Sequence, residues 1–83
     1  MNKTINLLIA DDDRFILRSM TRMLGRVETL KIYAAENRSS VFDIIRYNKI
    51  DCILMDYYME GITGLELMRQ LKDDNITIPV IML

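Results

Sequence analysis

Histidine is absent from the chain, cysteine and proline occur once each, and neither sign of charge dominates. Without histidine there is no His-based triad and no histidine general base. Cys52 is the sole thiol, so an internal disulfide framework and a Cys/His zinc site are both excluded. Lys plus Arg is 11 and Asp plus Glu is 12, a net charge of −1. That balance argues against bulk electrostatic attraction to nucleic acid or to an anionic membrane. No apolar run approaches the ~20 residues that a bilayer-crossing helix needs. The run from Leu7 to Ala10 is too short for a signal peptide. These absences predict a soluble cytoplasmic chain in a reducing setting, with no membrane and no direct nucleic-acid contact.

What is present points to one small globular domain: 83 residues, 51% of them hydrophobic and 28% charged. There is no repeat, linker or low-complexity stretch. Ile5 to Ala10 (INLLIA) suits a strand buried on both faces. From Arg14 the period changes, and Ile16, Met20, Leu24 and Val27 share a helical stripe with Gly25 near its end. Thr29 to Ala35 reads as a second strand. Ser39 or Ser40 is expected to cap a short helix carrying Val41, Phe42, Ile44 and Ile45. Asp51 to Met55 reads as a third strand. Thr63 and Glu66 have capping-box spacing ahead of a helix with Leu65, Met68 and Leu71, closed by Asp73-Asp74-Asn75. Ile76 to Leu83 reads as a fourth strand, with Pro79 near its start because proline cannot donate to the ladder. Strands alternating with helices imply an α/β fold with a parallel sheet and right-handed crossovers.

In such sheets, sites form beyond the carboxyl ends of the strands, where strand order reverses. Asp11, Asp12 and Asp13 follow the first strand, and Asp56 follows the third. If those strands are neighbours, the carboxylates converge, and two of them about 4 Å apart repel by roughly 4 kcal/mol at an effective dielectric near 20. A shared proton, a basic side chain or a divalent cation must offset that. An all-oxygen, highly negative set suits Mg²⁺ or Mn²⁺. The plainer alternative is solvated turn residues and helix caps. Asp13, directly ahead of the first helix, fits the cap; Asp11, Asp12 and Asp56 together fit a metal site.

The segments LLIADDDRFILR, CILMDYYMEGITGLELM and IPVIML resemble the receiver domain of bacterial two-component response regulators. The stretch from Asp56 to Gly64 is similar to that family's D-x-x-M-P-x-x-D/T-G loop, and the interval from Asp12 to Asp56 suits the family. The resemblance covers essentially residues 1–83. It implies a flavodoxin-like fold of strand order 2-1-3-4, in which Asp56 accepts a phosphoryl group from a histidine kinase or phosphotransfer protein. It implies Mg²⁺ bound directly by Asp12, through water by Asp11, and by Asp56 and the backbone carbonyl of Tyr58. Glu60 stands where the family has proline, which is expected to loosen the loop, and Thr63 stands where aspartate is common. The family's Ser or Thr after strand four, its Lys after strand five, the last strand and the last two helices lie past Leu83. The 83 residues are therefore expected to be a partial receiver, slow to be phosphorylated, that self-associates through the exposed edge of strand four.

Two other functions compete. A degenerate receiver would only bind a protein partner. A haloacid-dehalogenase-type phosphatase would use Asp11 as nucleophile and Asp13 as acid/base, and would leave Asp56 without a role. Arg14, Arg18, Arg22 and Arg26 repeat every fourth residue. They are expected to form a solvated face, with a docking strip for an acidic partner as the alternative, and Glu28 and Asp43 are candidate partners for them. Cys52 reads as a small buried apolar side chain, the methionines as core filling, and Tyr57 and Tyr58 as loop residues.

Overall fold

The computed structural model of the chain describes residues 3–83. The elements run β1 (Ile5–Ala10), α1 (Arg14–Leu24), β2 (Leu30–Ala35), α2 (Arg38–Tyr47), β3 (Cys52–Met55), β4 (Tyr58–Met59), β5 (Ile62–Thr63), α3 (Gly64–Asp73) and β6 (Val80–Met82). Four parallel strands form one sheet in the order β2-β1-β3-β6, and β4 and β5 form a separate antiparallel hairpin. With β6 as the fourth sheet strand, this is the expected 2-1-3-4 order. Among the described residues no helix is long and apolar enough to cross a membrane.

Successive strand residues face opposite sides of a sheet, which separates the core into two parts. Leu8 and Ala10 of β1 and Ile53 and Met55 of β3 join Val41 of α2 and Leu67 and Leu71 of α3 in the main cluster. Ile9 points the other way and is buried with Leu17 of α1. So α2 and α3 cover one face, and α1 covers the other. The first crossover carries the chain from β1 to β2 on one side, and the next carries it back past β1 to β3. The carboxyl ends of β1 and β3 therefore flank the switch point.

Helix ends follow local chemistry. Asp13 caps α1, its carboxylate accepting from the N–H groups of Phe15 (2.9 Å) and Ile16 (3.3 Å). Asn37, rather than Ser39 or Ser40, caps α2: its backbone is extended, and its side chain accepts from Ser40 N–H at 2.9 Å. The serines lie inside the first turn. Thr63 and Glu66 form the expected capping box at α3, with both reciprocal bonds at 3.1 Å. Asn75 closes α3 with φ 58, a left-handed conformation that asparagine tolerates. Thr63→Ala should cost about 1 kcal/mol of stability, the usual size of a lost cap. Urea unfolding of the two chains measures it, and unchanged stability would mean that α3 forms without its cap.

The fourth sheet strand is shorter than the expected Ile76–Leu83. Ile76 N–H still bonds to Leu71 O at the end of α3, and the ladder begins only after Pro79, whose carbonyl accepts from Ile53 N–H at 2.9 Å. Ile76, Ile78 and Val80 nevertheless pack against the main cluster. The methionines also divide. Met55 and Met59 are buried, whereas Met23, Met68 and Met82 are substantially exposed. Cys52 is half-buried.

Candidate functional site

The register fixes the site. Ala10 lies opposite Met55 across the β1–β3 ladder, so the next residue on each strand, Asp11 and Asp56, come side by side. Asp11 N–H donates to Ala35 O and Asp56 N–H to Ala10 O, each at 3.1 Å, which holds both residues at the sheet edge. Asp12 follows in the turn. One carboxylate oxygen from each of Asp11, Asp12 and Asp56 lies within 4.8 Å of the other two. Asp11 is buried at 5% exposure, Asp56 is half-buried and Asp12 is exposed. Asp13 N–H donates to Asp11 Oδ1 at 2.9 Å, which fixes that carboxylate and leaves its second oxygen without a bond among the described residues.

No lysine or arginine forms an ion pair with these three carboxylates among the described residues. The cluster thus lacks a side-chain counter-charge. A set of hard oxygen donors on rigid strand ends is what a small divalent cation requires. Asp13 does not join the cluster, because its carboxylate is committed to the α1 cap.

The segment after Asp56 forms the outer wall. Tyr58 opens β4 opposite Thr63, and Met59 pairs with Ile62. Met59 and Ile62 are buried, while Tyr58 is 73% exposed and its ring meets that of Tyr57 edge-on at 4.8 Å. The rings pack on each other and present no flat stacking platform. Gly61, at φ 87, makes the two-residue turn after Glu60, a conformation that side chains resist. The loop is thus a hydrogen-bonded hairpin seated in the core, and Glu60 in place of proline does not leave it unstructured. Gly64 closes the wall: its N–H donates to Tyr57 O at 2.8 Å. A β-carbon at Gly64 would lie 2.5 Å from Met82 Sδ, so glycine lets β6 approach the start of α3. The sequence pattern alone does not pair Gly64 with Met82, because nothing in either segment names the other.

A family model described as the response regulator receiver domain matches residues 7–83. The heme response regulator HssR of Staphylococcus epidermidis is 37% identical over 79 residues, which take in 95% of this chain and 34% of the relative. The phosphate regulon transcriptional regulatory protein PhoB of Pseudomonas aeruginosa is 39% identical over 85 residues, 100% of this chain and 36% of that protein. The chain therefore spans about a third of the length of these relatives. The solved receiver domain of Francisella response regulator 1452 superposes with a TM-score of 0.86 at 26% identity, covering 95% of this chain and 64% of that one. Fold, strand order and family match agree, and the chain belongs to the response regulator receiver domain family.

Proposed function

We propose that this chain is a phosphoacceptor module that takes a phosphoryl group on Asp56 from a histidine kinase or phosphotransfer protein. The observation that carries the proposal is the convergence of Asp11, Asp12 and Asp56 with no basic side chain paired to them among the described residues. Asp56 lies at the strand end, half-buried and facing the other two carboxylates. In the transfer, an Asp56 carboxylate oxygen forms a bond to phosphorus. The donor's P–N bond breaks, and the leaving imidazole nitrogen keeps the electron pair. The product is an acyl phosphate.

Asp12, Asp11, Asp56 and the Tyr58 carbonyl are the groups proposed to hold Mg²⁺. The cation would neutralise charge on the phosphoryl oxygens during transfer. Asp11 contributes most to rigidity, because it is buried and already fixed by Asp13 N–H. Tyr58 is proposed as a ligand through its main chain, two residues after Asp56 at the start of the hairpin. Incubation with acetyl phosphate and Mg²⁺, then peptide mapping of the acyl phosphate, is the test. Label on Asp56 supports the proposal. Label on Asp11 would point to phosphatase-type chemistry, and Mg²⁺ binding without any label would make this a degenerate receiver.

Self-association belongs to the same proposal. Among the described residues β6 pairs only with β3, and Ile81, Met82 and Leu83 are 53%, 39% and 66% exposed. An open edge offers unpaired backbone groups to a second chain, and each Å² of apolar area buried contributes ~25 cal/mol. Sedimentation at low micromolar concentration should show a dimer or a larger assembly. A compact monomer with a cooperative melt would exclude it.

A further inference from the structure

We propose that Met82 of the edge strand β6 is a positioning residue for Asp56, acting through Gly64 on the loop that follows the acceptor. This role rests on the Asp56 and Mg²⁺ reading above and adds to it a side chain from a separate strand. Two ties run from the end of β6 to the residues on either side of Asp56. Leu83 N–H donates to Met55 O at 3.0 Å, which holds the residue before the acceptor. Met82 lies opposite Met55 in the ladder, so both side chains face the side of the sheet that α3 covers. There Met82 meets Gly64, the first residue of α3. Gly64 N–H donates to Tyr57 O at 2.8 Å, which holds the residue after the acceptor. Asp56 thus sits inside a ring of contacts that the Met82 side chain closes.

The steric reason for glycine at position 64 is Met82. Gly61 has φ 87, but Gly64 is not in the left-handed region, so its backbone conformation is open to alanine. A β-carbon there would lie 2.5 Å from Met82 Sδ and 3.0 Å from Met82 Cγ. The next nearest atom, Tyr57 Cα, would be an ordinary 3.8 Å away. The space beside Gly64 is therefore filled by one side chain. Methionine suits it, because an unbranched thioether fits narrow, irregular gaps. Met82 is 39% exposed whereas Gly64 is buried, so the side chain lies as a cover over the first turn of α3.

The consequence reaches the proposed metal site through the main chain. Tyr57 O belongs to the peptide unit that enters Tyr58, and the Tyr58 carbonyl is a proposed Mg²⁺ ligand. Any shift of Gly64 is passed to that peptide unit by the Gly64–Tyr57 hydrogen bond. Partners that orient a ligand without touching the metal typically contribute 10–100-fold to its affinity. A methionine that only filled the sheet edge would affect stability and leave the site alone.

Mg²⁺ calorimetry and metal-free amide exchange on the full chain separate the two roles. Met82→Ala should speed exchange of Gly64 N–H and raise the Mg²⁺ Kd about tenfold. Met82→Leu, which keeps an apolar side chain of similar volume, should restore both. Gly64→Ala should also raise the Kd, because its β-carbon and Met82 compete for one space. Gly64→Ala/Met82→Ala should bind Mg²⁺ more tightly than either single variant, since the alanine at position 64 refills the gap. Leu71→Val, in the last turn of α3, is the stability control: it should lower the melting temperature and leave the Kd unchanged. Wild-type exchange and Mg²⁺ affinity in Met82→Ala, additive losses in the double variant, or an equal rise in Kd in Leu71→Val would each overturn the proposal. A wild type that binds no Mg²⁺ would instead reject the metal-site reading, and exchange at Gly64 would still decide the coupling.

Discussion

Asp56→Asn should yield a folded chain that takes up no phosphoryl group. The amide keeps the size and half-buried position of the carboxylate but has no anionic oxygen to form the acyl phosphate. Asp12→Ala should behave differently. Asp56 remains, yet Mg²⁺ affinity should fall at least about tenfold, since disturbing even the outer partners of a metal site costs that much. Labelling by acetyl phosphate should slow by about 10²–10³, as when one electrostatic contact to a transferring group is removed. Stability carries an independent signature. Asp11, Asp12 and Asp56 place three carboxylates within 4.8 Å with no ion-paired cation among the described residues. Neutralising Asp56 should therefore stabilise the chain in the absence of divalent ions. Added Mg²⁺ should stabilise wild type by about 1.4 kcal/mol at ten times its Kd, and Asp56→Asn by less. Calorimetric titration and thermal melts with and without Mg²⁺ check both. Equal Mg²⁺ binding by wild type and Asp12→Ala would reject the site, and labelling of Asp56→Asn would reject the acceptor.

The alternation of apolar runs with helical stripes places every sheet strand and helix, because buried parallel strands and amphipathic helices leave different periods. The capping box at Thr63 and the Asp13 cap are equally legible, since each depends on residues close in sequence. Strand order is a different matter. It is legible only through the family resemblance, since periodicity does not say which strand lies beside which. The convergence of Asp11 with Asp56 depends on that order. The hairpin escapes notice because strands of two residues carry no period. Asn37 escapes because Asn37, Ser39 and Ser40 can all cap, and only backbone geometry chooses among them. Ile76 and Ile78 alternate like a strand for a sound reason: they are half-buried against the core, but Pro79 delays the ladder. Exposed Met23 and Phe15 show the other limit. A stripe identifies an apolar face without saying what covers it.

Leu67→Ala should produce the largest loss of stability, about 2–5 kcal/mol, the usual cost of truncating a fully buried leucine. Leu67 is 0% exposed, in the main cluster with Ile53 and Met55, the strand residues that lead to Asp56. Domains hold ~0.05–0.15 kcal/mol per residue in total, so a chain this short has roughly 4–12 kcal/mol to lose. The cavity would lie under the first half of α3. That helix starts at Gly64, whose N–H holds Tyr57 O and so fixes the loop after the proposed acceptor. Loss of α3 packing should thus loosen the site wall as well as lower global stability. Phe15→Ala is the contrasting substitution: Phe15 is 78% exposed, and its removal should change stability by no more than about 0.5 kcal/mol. Urea unfolding of the three chains gives the comparison, with amide exchange at Tyr57 to Gly64 reporting the wall. A Leu67→Ala cost below about 1 kcal/mol would mean that the sheet and α2 hold the core without α3. Unchanged exchange at a large cost would mean that the hairpin is held by Met59 and Ile62 alone.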